Sequence, residues 1–440
     1  MTGHQHARST KDDPDHHGIT AIPLRSIIGG AAGNLVEWFD WYVYSAFSLY
    51  FAKAFFPGQD QTAQFLATSG IFWIGFLMRP IGGWLLGRVG DRHGRRTALA
   101  WSVGMMGGGA LLVAVTPAYA TIGIAAPLLL MLARIIQGLS LGGEYGAAAT
   151  YLSEIAPAGR RGFWSSFQYV TLYGGQLLAL ALLLALQASG ASEAALSSWG
   201  WRLAFVAGAA LAFGVYLLRR GIDETPDFAA ESGHEGRKRG ITELWTNHRR
   251  STLIAFGLAV GSNVAFYTYT TYMQKYLVVS AGFSKAVASQ ICAAAIIVTV
   301  LLQPLLGGLS DRIGRKPLLY WFALGGLFGT VPLMTAIGRT HDPFIAFALA
   351  MTALVILSGA TATNAIVKAE LFPAHIRVLG VGLPYAISQS LFGGSAEAVA
   401  LSLKQAGHES LYFWYVTAMI GVALIATVAM RESRAHANLS

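Results

Sequence analysis

Apolar segments long enough to cross a lipid bilayer recur along the whole sequence of 440 residues, and short polar stretches separate them. A helix needs about 20 mainly apolar residues to cross the hydrocarbon core of a bilayer. The pattern predicts an all-α membrane protein with twelve spans, at about 24–52, 62–87, 97–116, 121–154, 162–188, 200–218, 251–278, 285–309, 316–338, 343–371, 377–403 and 409–430.

Two short polar motifs each occur twice along the chain. Residues 87–96 and 307–316 share the pattern Gly-x-x-x-Asp-Arg-x-Gly-Arg-(Arg/Lys), at a spacing of 220 residues. Residues 154–161 and 370–377 share the pattern Glu-x-x-Pro-x-x-x-Arg, at a spacing of 216 residues. Because both motifs recur in the same order at nearly the same spacing, the sequence predicts two related halves.

These repeats divide the chain into predicted domains. We expect an N-terminal six-helix bundle at 24–218 and a C-terminal six-helix bundle at 251–430, joined by a polar cytoplasmic linker at 219–250. Residues 1–23 are polar and are predicted to form a disordered cytoplasmic tail. Residues 431–440 are predicted to form a second, short cytoplasmic tail.

The distribution of Lys and Arg predicts the orientation in the membrane. With the N-terminus inside, 22 of the 31 Lys and Arg residues lie in cytoplasmic segments and three lie within spans. The six assigned to the outer side are Lys53, Arg202, Lys275, Lys285, Arg339 and Lys404. This bias predicts that both termini are cytoplasmic.

The composition narrows the class of protein further. Only 12% of the residues are charged, whereas soluble domains have about 25%. The single cysteine, Cys292, excludes a disulfide framework. The basic residues lie in short loops and not on one patch, so we expect no nucleic-acid partner. No nucleophile–base pair or metal cluster stands out in the loops, so neither an enzyme nor a metal site is predicted.

Charged residues within the predicted spans are the first functional candidates. An isolated charge in the middle of a bilayer costs at least about 2.5–3.5 kcal/mol, so such a residue should face a cavity or a partner. Glu37 and Arg79 lie about 18 Å from the inner surface at 1.5 Å per residue. Arg134 begins an Arg-x-x-Gln-Gly string in the fourth span. The first span carries a stripe at helical spacing, formed by Gly30, Gly33, Glu37, Asp40, Tyr44 and Ser48.

Uncharged polar residues in several spans line up in the same way. They predict a central polar cavity between the halves, although hydrogen bonding between helices is the more common use of such residues. The predicted substrate-binding set is Arg79, Tyr44, Gln168, Asn263, Tyr267, Gln274, Tyr385 and Gln389. Arg79 is expected to bind a carboxylate through its planar guanidinium group.

The duplicated motifs supply the predicted gating residues. Gly94 permits a left-handed turn residue, Gly87 permits close approach of a neighbouring helix, and Asp91 is suited to accept hydrogen bonds from the free N–H groups of a helix start. The set comprises Gly87, Asp91, Arg92, Gly94, Arg95, Asp311, Arg312, Gly314, Arg315, Glu154, Arg161, Glu370 and Arg377.

Twelve spans in two halves and the duplicated loop resemble the major facilitator superfamily, whose fold is two pseudo-symmetric six-helix bundles. Longer strings resemble the metabolite:proton symporter family within it: GNLVEWFDWYVYS (33–45), GFLMRPIGGW (75–84), RIIQGLSLGGEYG (134–146), SFQYVTLYGGQLLAL (166–180) and KAELFPAHIRVLGVG (368–382). FYTYTTYMQKYLV (266–278) and FGGSAEAVALSLK (392–404) are most similar to members that carry 2-oxoglutarate.

The resemblance implies uptake of an organic acid with protons across the bacterial inner membrane by alternating access. It implies no cofactor other than the coupling proton, and its expected partners are a small organic acid, protons and the lipid bilayer, with the protein a monomer. In sugar-carrying relatives an acid in the first span interacts with the fourth-span arginine. The matching residues, Asp40 and Arg134, are thereby expected to couple protons, with Glu37 as the second candidate acid.

The family also contains citrate, shikimate and proline/betaine carriers, so these substrates stay open. The proline/betaine carrier has a long C-terminal coiled coil, whereas only ten residues follow Met430 here and they contain no heptads. A membrane sensor that has kept the fold is the alternative from another class. Such a sensor should have a sizeable signalling domain, and the polar segments of this chain are short.

Overall fold

The computed structural model describes residues 24–93, 95–141, 149–150, 153, 156–157, 159–220 and 241–431. Across these residues the chain is helical. The first half contains α1 (Leu24–Phe55), α2 (Gln61–His93), α3 (Arg95–Val115), α4 (Ala125–Ser140), α5 (Arg161–Ser165 and Phe167–Ala188) and α6 (Trp201–Arg220).

The second half contains α7 (Arg249–Tyr267, continued by a π-helical turn at Thr268–Tyr272 and by Met273–Val279), α8 (Lys285–Ile313), α9 (Lys316–Arg339) and α10 (Pro343–Thr361 and Asn364–Glu370). It ends with α11 (Arg377–Ser388, a π-helical turn at Gln389–Gly393, and Ala396–Gln405) and α12 (Glu409–Ala429).

Eight helical segments in the described part of the chain are long and apolar enough to cross a membrane. They lie in α2, α5, α6, α7, α8, α9, α10 and α12. The prediction of an all-helical, multi-span membrane protein is therefore confirmed. The helices α1 and α11 are not among the eight, and both carry buried acids, Asp40 in α1 and Glu397 in α11.

The predicted fourth span, 121–154, began too early. A short helix, Tyr119–Ile122, ends at Gly123, and α4 begins only at Ala125. Gly123 has a φ of +56°, which favours glycine and interrupts a right-handed helix. The described part of α4 ends at Ser140.

Local sequence signals explain several helix ends. The Ser284 hydroxyl accepts a hydrogen bond from the Val287 N–H at the start of α8. Asp342 accepts bonds from the N–H groups of Phe344 and Ile345 at the start of α10, and Pro343 occupies the first turn. The helix α8 ends at Gly314, whose φ of +96° fits the role predicted for this motif position.

The helices pack mainly within their own half of the chain. In the first half α1 lies against α5 and α6, and α2 lies against α4. In the second half α12 lies against α7 and α9. The two largest contacts between the halves in the described residues are those of α5 with α8 and of α2 with α11. A ligand site between the halves therefore has α2 and α11 among its walls.

Candidate functional site

One face of α2 is hydrogen-bonded to α11 along much of its length, and we call this contact the α2–α11 seam. At one end of the seam the Ser69 hydroxyl donates to Glu397 Oε1. Further along, Trp73 Nε1 donates to the Ser390 carbonyl at 2.8 Å, and the Ser390 hydroxyl donates to the Phe76 carbonyl at 2.8 Å. These bonds fix the two halves against each other.

Arg79 continues the seam in the interior of the protein. Its side chain is 6% exposed, and its Nη1 donates to Gln389 Oε1 at 2.9 Å. Gln389 Nε2 donates in turn to the Tyr267 hydroxyl at 3.0 Å. The structure thus brings three of the predicted substrate-binding residues into one chain of hydrogen bonds between α2, α11 and α7. Gln389 begins a π-helical turn and Tyr267 precedes one, a feature frequent at functional sites.

Asp40 and Arg134 are also brought together, as the resemblance implies. Arg134 Nη1 lies 3.6 Å from Asp40 Oδ2, and both side chains are buried. Gln137 bridges them, because its Nε2 donates to Asp40 Oδ2 at 2.7 Å and its Oε1 accepts from Arg134 Nη1 at 2.7 Å. The Arg-x-x-Gln spacing puts Gln137 one helical turn after Arg134, which makes this bridge possible.

Tyr44 lies with this pair and not with Arg79. Its ring centroid is 4.4 Å from the Arg134 guanidinium carbon, and its hydroxyl donates to the Thr68 carbonyl at 2.9 Å. Tyr44 therefore contacts the arginine of the predicted proton-coupling pair. Glu37, the second candidate acid, is buried one turn before Asp40 on α1.

The other predicted binding residues are buried but dispersed. Asn263 Nδ2 donates to the Ser388 hydroxyl at 3.2 Å, and Gln274 Nε2 donates to the Ser289 hydroxyl at 2.7 Å. The Tyr385 ring centroid lies 4.6 Å from Lys368 Nζ. Gln168 is buried in α5. None of these hydrogen bonds or ring contacts reaches the Arg79–Gln389–Tyr267 chain.

Most of the predicted gating residues of the second half are buried, and they lie where α8 meets α5 and the end of α10. Asp311 accepts hydrogen bonds from the N–H groups of Gly162 at 2.8 Å and Phe163 at 2.9 Å, at the start of α5. A Cβ at Gly307, the first glycine of the motif, would lie 2.5 Å from the Gly162 carbonyl oxygen. The motif thus has the two roles predicted from its first copy: a carboxylate caps a helix start, and glycine permits close helix approach.

The two duplicated motifs meet in this cluster. Arg315 donates from Nη1 to Asp311 Oδ1 at 2.8 Å and from Nη2 to Glu370 Oε1 at 3.1 Å. Arg377 Nε donates to the carbonyls of Ala369 and Phe372. A charged network therefore joins α8 to the end of α10 and, through Asp311, to the start of α5 in the other half.

The remaining gating candidates are placed less fully. Arg161 is half-buried at the start of α5, Arg312 is exposed, and Gly87 lies in α2. Gly94 and Glu154 lie outside the described residues, as do the side chains of Asp91, Arg92 and Arg95 and most of the predicted linker and both tails.

The sequence analysis missed an ion pair between Lys275 and Glu397. Lys275 was assigned to the outer surface, but the structure buries it in α7, 2% exposed, against Glu397 of α11. Both residues lie in strings quoted for the resemblance, and the cost of a charge within a span applies to them as it does to Arg79. That cost is the sequence signal from which a buried ion pair could have been predicted.

Two small cavities lie among the described residues. One cavity, with room for about one water molecule, lies between the halves and is lined by residues that include Tyr42, Gln176, Thr270 and Gln274. A similar one lies within the second half beside Lys368. Neither of these two cavities has room for an organic acid.

Comparisons with known proteins agree with this architecture. Residues 30–396 match the model of the Major Facilitator Superfamily. The chain is 52% identical over 408 residues, 92% of this chain and 93% of the relative, to the alpha-ketoglutarate permease of Escherichia coli (strain K12). It is 32% identical to the citrate-proton symporter of Salmonella typhi (93% and 95% covered) and 33% identical to the proline/betaine transporter of Salmonella typhimurium (93% and 83% covered).

Among solved structures, the fold is similar to that of a D-xylose-proton symporter, with a TM-score of 0.75 and 20% sequence identity over 93% of this chain and 98% of that one. A partially occluded inward-open form of the xylose transporter XylE from E. coli gives a TM-score of 0.71 at 20% identity, over 92% and 96% of the two chains. At this identity the likeness concerns the fold.

Proposed function

Because this chain belongs to the Major Facilitator Superfamily, we propose that it imports 2-oxoglutarate, or a closely related dicarboxylate, together with protons by alternating access. The protein is a multi-pass membrane transporter and not an enzyme, since its relatives are permeases and transporters. The substrate is proposed from the similarity to the relative named alpha-ketoglutarate permease, which is 52% identical over almost the whole of both chains. The proposed location is the bacterial inner membrane, and the proposed working unit is a monomer.

The observation that carries the proposal is the position of Arg79. A buried guanidinium group lies at the contact between the halves, hydrogen-bonded to Gln389, which is itself bonded to Tyr267. The Nε and Nη2 atoms of Arg79 have no hydrogen-bond partner among the described residues. A planar fork of donors between two moving halves suits the carboxylate of an organic acid.

The finer topology is part of the proposal. We propose twelve spans in two six-helix bundles, at 24–218 and 251–430, joined by the linker 219–250, with both termini in the cytoplasm. The bounds of α1 to α12 and the eight apolar segments support this division. The motif cluster between α5 and α8 then lies at the inner face, and the outer end of the α2–α11 seam faces the periplasm.

For coupling, we propose that Asp40 accepts the transported proton and that Arg134 senses the change, with Glu37 as the alternative acid. The inside-negative potential opposes entry of a dianion by about 2.3 kcal/mol per charge per 100 mV, so uptake needs accompanying protons. The buried Asp40–Arg134 pair, bridged by Gln137, supports this assignment. The proton is the only coupling species proposed, without a cofactor.

Uptake by proteoliposomes tests the substrate. Labelled 2-oxoglutarate should accumulate when the outside is made acidic, and unlabelled 2-oxoglutarate should compete at far lower concentration than citrate, shikimate, proline or betaine. If citrate or an osmolyte competes better, the substrate assignment moves to that compound. If none is transported, the sensor alternative gains support.

A further inference from the structure

Buried hydrogen-bond donors without acceptors cluster around one side chain of α1. Trp41 Nε1, Arg79 Nε and Nη2, and Arg134 Nε and Nη2 have no partner among the described residues. The three side chains are 1%, 6% and 0% exposed. Native proteins leave few buried donors unpaired, because such a donor has given up its hydrogen bonds to water. Five in one place therefore point to a ligand that supplies acceptors.

The Trp41 ring contacts both arginines. The guanidinium carbon of Arg79 is 4.4 Å from the Trp41 ring centroid, and that of Arg134 is 4.1 Å from it. The two guanidinium groups are thus no further apart than these two distances combined, a span that a short dicarboxylate can bridge. Without a ligand, the indole ring supplies cation–π contacts to both arginines.

We propose that Arg79, Trp41 and Arg134 form one dicarboxylate clamp, in which each guanidinium group binds one carboxylate and the indole N–H donates a third hydrogen bond to the ligand. This inference rests on the proposed function and deepens it, because it gives Arg134 a substrate-binding role beside coupling. The donor-only cluster complements 2-oxoglutarate, whose two carboxylates and keto oxygen are all acceptors.

The neighbours of the arginines assign the two ends of the substrate. Arg79 has Gln389 and, through it, Tyr267 beside it, so it binds the 2-oxo acid end, which carries three oxygens. Arg134 has Asp40 and Gln137 beside it, so it binds the distal carboxylate. The distal carboxylate and Asp40 then compete for one guanidinium group.

This competition links the substrate to the proton. The groups that face Asp40 from α4 are Arg134 and Gln137, while α6 and α5 approach this part of α1 through Gly208 and Gly175. When the Asp40 carboxylate takes up a proton it loses its negative charge, and Arg134 stays charged and becomes available to the distal carboxylate. Proton and dicarboxylate therefore favour each other's binding.

Matched ligands test the clamp on the purified full-length protein. We compare the binding of 2-oxoglutarate with that of 2-oxopentanoate, in which a methyl group replaces the distal carboxylate. The wild-type protein should prefer 2-oxoglutarate by about 10- to 100-fold, the range expected for a charge-assisted hydrogen-bonded pair. Arg134→Gln should abolish the preference and leave 2-oxopentanoate binding nearly unchanged, whereas Arg79→Gln should weaken both ligands.

Further variants keep the test independent of folding. Arg134→Lys retains the charge but loses the fork, so it should reduce the preference partially. Trp41→Phe keeps an aromatic ring beside the arginines but removes the indole N–H together with the pyrrole ring, and it should weaken both ligands a few-fold. Asp40→Asn removes the competitor and should keep the preference, and the exposed Arg339→Gln should change nothing. Melting curves identify variants that do not fold.

The outcomes separate this inference from the proposed function. If wild-type protein transports 2-oxoglutarate but Arg134→Gln and Arg134→Lys leave the ratio of the two affinities unchanged, the clamp is wrong and the transport function stands. If the wild-type protein neither binds nor transports 2-oxoglutarate, the proposed function itself fails.

Discussion

At the scale of single residues, Arg79 illustrates what the sequence of a membrane span predicts about buried charges. The cost of a charge in a bilayer identified Arg79, Asp40 and Arg134 before their partners were visible. The partners lie on other helices: Gln389 is 310 residues from Arg79, and Gln137 is 97 residues from Asp40. The sequence therefore predicted which residues need partners, and the packing supplied them.

Arg79→Lys should reduce 2-oxoglutarate uptake at low substrate by about 10- to 100-fold, because lysine keeps the charge but cannot form a two-point hydrogen bond to a carboxylate. The measurement is initial uptake in proteoliposomes at equal reconstituted amounts. Arg339→Lys is the control, since Arg339 is exposed at the end of α9. Uptake close to that of the wild-type protein would remove Arg79 from the site.

Asp40→Asn should abolish uptake driven by a pH gradient and preserve exchange of internal for external substrate. The amide cannot release or regain a proton, whereas exchange does not require the empty carrier to return. Both modes are measured in the same proteoliposomes. The control is Asp60→Asn, because Asp60 is exposed before α2 and the Ala63 N–H lowers the pKa of its carboxyl below the ordinary value. Gradient-driven accumulation by Asp40→Asn would move the proton to Glu37.

Glu397→Gln should lower stability by about 3–5 kcal/mol, because it leaves Lys275 charged and unpaired in a buried position. The double variant Lys275→Met/Glu397→Leu should recover most of this loss, since an apolar pair of similar size removes both desolvation costs. The measurement is thermal unfolding in detergent. Equal Tm values for the single variant and the wild-type protein would show that the pair is not buried in solution.

At the scale of helices, the duplicated motifs predicted local roles but not their meeting. Asp311 caps α5, and Gly307 permits its close approach, as the first copy of the motif led us to expect. The link from Arg315 to Glu370 joins the two motifs across 55 residues, and no periodicity within a helix reveals such a contact. The break at Gly123 was likewise missed, because apolar residues continue on both sides of it.

Asp311→Asn should loosen the contact between α5 and α8. An asparagine loses the charge that pairs with Arg315, and its single acceptor oxygen replaces the two that now cap α5. Loss of one charged hydrogen bond costs about 1.5–3 kcal/mol, so the population in which this face is open should rise about tenfold or more.

The measurement is the rate at which a thiol reagent added from the inner side modifies the cysteine of Ser166→Cys, in a Cys292→Ala background. Because Ser166 is buried, the protein with native Asp311 should react slowly here, and equal rates in the two proteins would contradict the gating role.

At the scale of the whole molecule, the described helices hold two sets of contacts between the halves at opposite ends. Asp311 binds the start of α5, and Ser69 binds Glu397 at the other end of the α2–α11 seam. Alternating access requires that these contacts break one set at a time. The arginines lie between them, so access to a bound substrate would depend on which set is broken.

Hydropathy and repeats predicted the helical architecture well because burial in lipid imposes strict rules on length and charge. The bounds of the helices agree with most of the predicted spans to within a few residues. Lys275 was misplaced because charge counting treats a lysine near a span end as a loop residue, and only the fold shows Glu397 beside it.

The most direct test of proton-coupled import records internal pH in proteoliposomes that contain wild-type protein and a trapped pH indicator. With no initial gradient and the membrane potential clamped, added 2-oxoglutarate should acidify the interior as it enters. Asp40→Asn should take part in exchange without moving protons. Entry of labelled 2-oxoglutarate into wild-type vesicles without internal acidification would contradict proton symport.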